Sequence, residues 1–292
     1  MKSLAKKIYK KIPFKQPVFE IFRGVIRPPQ RLYKHLHFDG DFRVKLDEEH
    51  QFLIHHYGFE IENSLFWSGL GGGWEQRSLG LWIQLVKRSS IIFDIGANTG
   101  IYSLIAKSLK REAKVYAIEP VNRVFEKLEH NAHINGFDIK CLEAAASNKD
   151  GTATIYDTHT DHILSVTVNK NLQDPKTEVI PTAIKTMRLD KLIESESIPR
   201  IDLMKIDVET HEPEVLEGMG LYLAKYKPTM LIEILNDEVG ERVQAIVGGN
   251  DYLFFNIDDS NGSVRQVNRI GKSDFYNYLL ITRSAAESIE IL

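Results

Sequence analysis

The sequence predicts an α/β protein with a doubly wound, mostly parallel sheet and an N-terminal extension. From residue 90 onwards, short apolar runs alternate with amphipathic segments, as strands and helices do in such a sheet. The first run leads into a glycine-containing turn, FDIGANTG, and the second ends at an acidic residue, Glu119. Sheets of this kind bind ligands at the carboxyl ends of their strands, near the point where the strand order switches.

Seven apolar runs are predicted as strands of this sheet. In chain order they are SIIFDIG, KVYAIEP, IKCLEAA, IDLMKIDV, TMLIEIL, YLFFNID and YNYLLIT. The helices predicted between them span 101–110, 124–135, 213–218 and 238–247. Residues 151–187 are predicted as an irregular insert of strands and loops, because glycine and prolines interrupt the pattern there.

Three regions are predicted along the 292 residues: a basic arm at 1–34, an extension at 35–89 and the main domain at 90–292. The extension is predicted to contain three short strands and then a helix at 74–87. The strands are FDGDFRVKLD, FLIHHYG and FEIENSLFW.

The arm contains ten basic residues and one acid, a net charge of +9 against −3 for the whole chain. Leu4, Ile8 and Ile12 would lie on one side of a short helix that Pro13 and Pro17 would end. Such a helix suits peripheral contact of residues 1–30 with an anionic membrane. Packing on the body of the protein and a solvated terminus are the alternatives.

Composition excludes several classes of protein. The body outside the arm is acidic and would repel phosphate, which argues against a nucleic-acid partner. The single cysteine, Cys141, excludes an intramolecular disulfide framework and a multi-cysteine zinc site. The chain contains no apolar run of about 18 residues, so we expect a cytoplasmic protein, peripheral at a membrane if the arm binds lipid.

The turn after the first strand and the acid after the second predict a nucleoside site. Gly96 and Gly100 let the backbone pass close to a ligand, and Glu119 is placed to accept hydrogen bonds from ribose hydroxyls. A dinucleotide site requires G-x-G-x-x-G, but Asn98 stands at the second glycine and Asp94 would oppose a pyrophosphate. The pattern therefore favours S-adenosylmethionine, which has an amino group and no phosphate.

Each acid also has a simpler explanation: Asp94 could cap a helix or turn, and Glu119 could be a surface charge at the end of a strand.

Two other functions stay open from the residues alone. One is an NAD-dependent oxidoreductase, which shares the layout of strand, glycine turn and acid. The other is a non-catalytic binding module on the same fold.

Several segments occur in the order of one known family. They are FDIGANTGIYSL, YAIEP, HNAHINGF, EAAASNKDGTA, RLDKL and MKIDVETHEPEVLEGM. Over residues 60–240 the chain resembles the FkbM family of S-adenosylmethionine-dependent methyltransferases. The resemblance implies the class I methyltransferase (Rossmann-like) fold, with seven strands of which the last is antiparallel. It also implies O-methylation of a hydroxyl on a sugar, glycolipid, polysaccharide or polyketide.

The resemblance also implies the cofactor residues, which are Asp94, Gly96, Asn98, Gly100, Glu119 and, at 144–147 against the adenine, Ala145. The family usually has D-V-E-G-x-E where this chain has DVETHE, so Thr210 replaces a glycine.

On the acceptor side, the fourth strand ends in a group of polar residues. A hydroxyl must lose its proton as it attacks, so a positioned base helps, and Asp207 and His211 are the candidates. Glu209 could orient His211 or bind a substrate hydroxyl. Alternatively, Glu209 and Glu212 could only favour the start of the next helix.

Glu233 is an acid in an otherwise apolar strand, where it could accept a hydrogen bond from the substrate or pair with Lys205. Asp207, Glu209 and Glu233 could also ligate magnesium, but their spacing does not require it, and we predict no metal. The expected acceptor is the hydroxyl of a carbohydrate or lipid-linked carbohydrate.

Overall fold

A computed structural model describes residues 14–25, 28–158 and 179–292. By contacts within the chain, it divides into two compact units, Met1–Trp74 and Glu75–Leu292. The predicted region limits at 34/35 and 89/90 stay predictions. The helix predicted from Leu4, Ile8 and Ile12 lies outside the described residues.

The smaller unit contains a strand pair with short helices. Its elements are α1 Lys15–Val25, α2 Gln30–Tyr33, β1 Gly40–Lys45, β2 Gln51–His56 and α3 Glu60–Ser68. β1 and β2 pair antiparallel, and Phe38, Phe42 and Phe66 pack together in its core, with ring centroids 4.8–6.1 Å apart. Pro17 does not end a helix but lies in the first turn of α1, where its missing N–H is not needed.

The strand predicted for FEIENSLFW is wrong, because these residues form α3. The alternation of apolar and polar residues holds only for Phe59–Glu62 and then fails. At helical spacing, Asn63 donates to the Tyr33 carbonyl at 2.8 Å, and Phe66 packs on Phe38. Tertiary contacts at a period of about 3.6 residues therefore decide the conformation of this segment.

The larger unit contains eleven strands and eight helices within the described residues. The strands are β3 Ile91–Ile95, β4 Lys114–Ile118, β5 Ile139–Leu142, β6 Ala145–Ala146, β7 Gly151–Thr158, β8 Val179–Met187, β9 Leu203–Ile206, β10 Thr229–Glu233, β11 Tyr252–Ile257, β12 Val264–Val267 and β13 Asn277–Thr282. The helices are α4 Gln76–Val86, α5 Ile101–Leu109, α6 Asn122–Ile134, α7 Leu189–Ser195, α8 Glu212–Gly218, α9 Leu221–Tyr226, α10 Asp237–Val247 and α11 Arg283–Ser288.

The main sheet confirms the predicted fold class. Its strand order is β12-β11-β13-β10-β9-β3-β4-β5. The central strands from β10 to β5 are parallel, and β13 pairs antiparallel with both β10 and β11. All seven predicted strands are present. The eighth, β12, was not predicted, because its sequence VRQV is a half-exposed edge strand without an apolar run.

The insert at 151–187 is more regular than predicted at both of its ends. β7 and β8 pair antiparallel along their lengths, and β6 adds to β8 in parallel. The part between them, 159–178, lies outside the described residues. Among the helices that the structure describes, none has the length and apolarity needed to cross a bilayer.

Strand burial explains why the polar residues of this unit gather at one edge of the sheet. All five residues of β3 are buried, and so are all four of β9. Parallel neighbours in register bring Asp94 beside Lys205 and Ile95 beside Ile206. The carboxyl ends of β3, β4, β9 and β10 therefore converge at the same edge, where the candidate site lies.

Candidate functional site

Asp94 lies in β3 just before the glycine turn, and its carboxyl group is 1% exposed. Its Oδ2 accepts hydrogen bonds from the backbone N–H of Ser103 at 2.9 Å and from the Ser103 hydroxyl at 2.7 Å. Gly100 at the N-cap of α5 has no side chain, so Asp94 satisfies the third N–H of this helix. Burial raises the pKa of Asp94 to about 6. The capping explanation for Asp94 thus has direct support.

Gly96 and Gly100 both have the left-handed backbone that glycine favours, with φ of +75° and +90°. A Cβ atom at position 96 would lie 1.8 Å from the Asp207 carbonyl oxygen, and one at 100 would lie 2.5 Å from Leu128 Cδ1. Close packing against the end of β9 and against α6 therefore requires these glycines. The predicted reason, close approach of a ligand, is not needed to explain them.

Glu119 follows β4 and is 6% exposed, so the explanation as a surface charge is wrong. Its two oxygens accept from the backbone N–H groups of Asn98 at 3.1 Å and Val121 at 2.9 Å. Asn98 donates from a left-handed backbone, with φ of +50°. Burial raises the pKa of Glu119 to about 7. The carboxyl group thus joins the turn after β3 to the chain after β4, and its remaining lone pairs can accept ligand hydroxyls.

Ala145 lies in β6 and belongs to a buried apolar cluster next to Glu119. It is buried with Val121, Val124, Ile155 and Ile184. Val121 is also the residue whose N–H binds Glu119. An acid that can accept hydroxyls therefore lies close to a buried apolar cluster.

Lys205 and Asp207 form an ion pair at the end of β9. The Lys205 Nζ lies 3.0 Å from Asp207 Oδ2, and its side chain is 2% exposed. The same ammonium lies 5.2 Å from the centre of the Tyr102 ring, and the Tyr102 hydroxyl donates to the Glu75 carboxylate. A buried ammonium is costly unless charges or rings compensate it, and this site supplies both.

Three carboxyl groups meet beside Lys205. One oxygen from each of Asp207, Glu209 and Glu233 lies within 4.8 Å of the others. Burial, followed by the charge of Asp207, raises the pKa of Glu209 to about 8 and also raises that of Glu233. These raised pKa values favour the protonated forms of Glu209 and Glu233, which can donate hydrogen bonds, whereas Asp207 is paired with an ammonium. Three ligating oxygens could also suit a divalent cation.

His211 is directed to other partners. Its Nε2 lies 3.0 Å from the Ser147 hydroxyl, and its Nδ1 lies 3.5 Å from a Glu214 carboxylate oxygen. Glu212 is buried and accepts from the N–H of Val208 at 3.2 Å, which fits a role at the start of α8. The structure thus brings Asp207, Glu209 and Glu233 together and gives both ring nitrogens of His211 a neighbour elsewhere.

The loop between β9 and α8 contains no glycine, yet two of its residues have the left-handed backbone that glycine favours. Glu209 has φ of +54° and Thr210 has φ of +77°. A β-branched residue in the left-handed region is strained, at a cost of about 1–3 kcal/mol. The strain lies directly beside the cluster of carboxyl groups, so this loop is held in place by its contacts.

Glu75, Tyr102 and Asn277 belong to the site but were not predicted. Burial raises the pKa of Glu75, whereas the charge of Lys205 and the polar side chains of Tyr102 and Asn277 lower it. These residues come from three distant parts of the sequence. The one signal that could have found them is Lys205, because a lysine in a fully buried strand requires partners.

Comparison with known proteins identifies the family of the chain. The model of the methyltransferase FkbM domain matches residues 94–267. Over 145 residues the chain is 29% identical to the hexuronic acid methyltransferase AglP of Haloferax volcanii, covering 50% of this chain and 56% of that one. Over 154 residues it is 28% identical to methyltransferase sdnD of Sordaria araneosa, covering 44% and 60%.

Among solved structures, it is similar to the crystal structure of methyltransferase FkbM from Methylobacillus flagellatus. The TM-score is 0.40 and the identity 14%, over 66% of this chain and 43% of that one. The chain spans little more than half the length of the two curated relatives.

Proposed function

This chain belongs to the FkbM methyltransferase domain family, and on that premise we propose that it is an S-adenosylmethionine-dependent O-methyltransferase. The acceptor we propose is a hydroxyl of a sugar, a lipid-linked carbohydrate or a similar natural product. One observation carries the proposal: the buried Glu119 lies beside a buried apolar cluster at the carboxyl edge of the sheet, and a cluster of carboxyl groups lies at the same edge.

The acidic residues of this site suit S-adenosylmethionine better than a dinucleotide. Asp94 and Glu119 are both buried acids at the ends of adjacent strands. Glu119 suits the ribose hydroxyls of either ligand. Asp94, in the strand before the turn, would oppose a pyrophosphate but suits a ligand with an amino group and a sulfonium. We propose that Glu119 accepts the ribose hydroxyls, that Asp94, Gly96, Asn98 and Gly100 shape the turn below them, and that Ala145 lies against the adenine.

The cofactor supplies a methyl group made reactive by its positively charged leaving group. The chain must then position the acceptor hydroxyl and remove its proton. We propose Asp207 as the base, because Lys205 holds its carboxylate at 3.0 Å. Glu209 and Glu233, whose raised pKa values favour their protonated forms, would donate hydrogen bonds to neighbouring oxygens of the acceptor. His211 stays a candidate base, but its contacts favour a supporting role.

A relative's name and the chemistry of the carboxyl cluster both favour a carbohydrate acceptor. The relative from Haloferax volcanii is named for methylation of a hexuronic acid. In this chain, the cluster of Asp207, Glu209 and Glu233 supplies both hydrogen-bond donors and an acceptor within a few ångströms, which suits a molecule with several adjacent hydroxyls.

The test is transfer of a labelled methyl group from S-adenosylmethionine to a panel of hexuronic acids, neutral glycosides and lipid-linked glycans. Loss of the proposed base in D207N should lower turnover about a hundredfold or more and leave the dissociation constant of S-adenosylhomocysteine within about threefold. H211Q should keep most of the activity. D251N, which removes a carboxylate 86% exposed on the surface, is the matched control.

Two results would contradict the proposal. If D207N keeps wild-type turnover, Asp207 is not the base. If the protein binds S-adenosylhomocysteine tightly but labels none of the acceptor classes, the non-catalytic binding module becomes the better explanation.

A further inference from the structure

Helix α1 contacts its own unit through a largely polar stripe. Gln16 donates to the Asp41 carbonyl at 2.7 Å, and Arg23 donates to the Phe66 carbonyl at 2.9 Å. Between them, Phe19 packs on Trp67, with ring centroids 5.4 Å apart. Residues 16, 19 and 23 share one side of the helix, because they recur at helical spacing.

The apolar stripe of the same helix is exposed. Val18, Ile21, Phe22 and Val25 recur at i, i+3, i+4 and i+7, and their exposed fractions are 44%, 71%, 51% and 81%. A helix in a globular protein usually buries its apolar stripe, and α1 shows the reverse. Phe14, the residue just before the helix, is also 77% exposed. A continuous apolar strip of this kind indicates a binding surface.

Charge decides what the strip can bind. Residues 1–34 carry a net charge of +9, and Arg31 and Lys34, which follow α1, are exposed. A second copy of the chain would bring an equal positive charge against this one, which disfavours self-association. An anionic lipid surface offers both an apolar interior and negative headgroups, and each basic residue near such a surface contributes favourably to binding.

We propose that α1 is a membrane-docking helix that inserts Val18, Ile21, Phe22 and Val25 at the boundary between headgroups and acyl chains of an anionic bilayer. The net positive charge of residues 1–34 strengthens the binding to anionic headgroups. The proposal concerns a lipid surface and is independent of the identity of the methyl acceptor.

The first test is co-sedimentation of the full chain with vesicles of phosphatidylcholine, with and without phosphatidylglycerol. The wild type should bind the vesicles that contain phosphatidylglycerol, and binding should weaken as salt is raised. The double variant I21D/F22D should bind at least about tenfold more weakly, because two apolar side chains are lost from the strip. L221D replaces a 77% exposed leucine of the larger unit and should bind like the wild type.

The second test locates the contact. In F22W, fluorescence should be quenched by vesicles with brominated acyl chains more strongly than in the wild type, whose three tryptophans provide the background. Unchanged thermal unfolding of I21D/F22D would show that it folds. The proposal is overturned if the wild type binds no vesicles, if I21D/F22D binds equally well, or if F22W gives no added quenching. It is also overturned if the wild type is a dimer that I21D/F22D converts to a monomer, because the strip then binds a second copy.

Discussion

Glu119 offers the sharpest test of the cofactor side, through the substitution Glu119→Gln. The carboxyl group is 6% exposed and accepts two backbone hydrogen bonds, yet burial raises its pKa from 4.5 to about 7. Such a group is better suited to binding a ligand than to stabilising the empty protein. E119Q should therefore separate stability from binding.

The size of the expected change in stability follows from the pKa of Glu119. A rise from 4.5 to about 7 corresponds to about 3 kcal/mol for ionising the buried group. Below pH 4.5 both folded and unfolded chains carry the proton, and Glu119 costs nothing. Between pH 4.5 and about 7 the unfolded chain ionises while the folded chain keeps its proton, so the wild type loses this stability progressively, and the loss is complete once the folded group also ionises above about 7. A neutral glutamine avoids that loss, but its amide NH2 faces one of the two backbone N–H groups that Glu119 accepts, a cost that does not depend on pH.

The assay is urea unfolding of the wild type and E119Q between about pH 4.5 and pH 8. E119Q should be less stable than the wild type at the acid end, by about 1–3 kcal/mol for the lost hydrogen bond, and the difference should shift in its favour by up to about 3 kcal/mol towards the alkaline end. At that pH its dissociation constant for S-adenosylhomocysteine should rise about tenfold or more, because a charged acceptor is lost. E143Q removes an exposed carboxylate and controls for the change in net charge. A difference in stability that does not change with pH would refute the reasoning.

Three further predictions concern the acceptor side. T210G should stabilise the protein by about 1 kcal/mol in urea unfolding, because it relieves a threonine held at φ of +77°; a loss of stability would show that the Thr210 side chain compensates for its backbone. K205M should lower the free energy of unfolding by about 3–5 kcal/mol, because it leaves Asp207 without its buried partner; a neutral effect would mean that water replaces the ammonium. Treatment with EDTA should leave methyl transfer unchanged, because Lys205 already supplies a positive charge beside Asp207; lost activity restored by Mg²⁺ would assign a metal to Asp207, Glu209 and Glu233.

The sheet could be predicted from the sequence because its central strands are buried on both faces and appear as uninterrupted apolar runs. β12 was not predicted, because a half-exposed edge strand does not need an uninterrupted apolar run. α3 was mistaken for a strand because four residues of alternation imitate one. In that segment the contacts of Asn63 and Phe66 with distant residues decide the outcome.

The acids of the candidate site were predictable because they stand at strand ends, which meet at one edge. Their surroundings were less predictable. Glu75 reaches the site from the start of α4, and Asn277 from the start of β13, so only the folded chain brings them to Lys205. Gly96 shows a different limit: the sequence indicates that a glycine is needed, but only the structure shows that the Asp207 carbonyl is what requires it.

The most direct test of the central claim is a calorimetric titration of the full chain with S-adenosylhomocysteine, with NADH as the competing ligand. The site of Asp94, Glu119 and Ala145 predicts a dissociation constant in the micromolar range, about −8 kcal/mol, and no heat with NADH. Binding of NADH without binding of S-adenosylhomocysteine would contradict the account and favour an oxidoreductase.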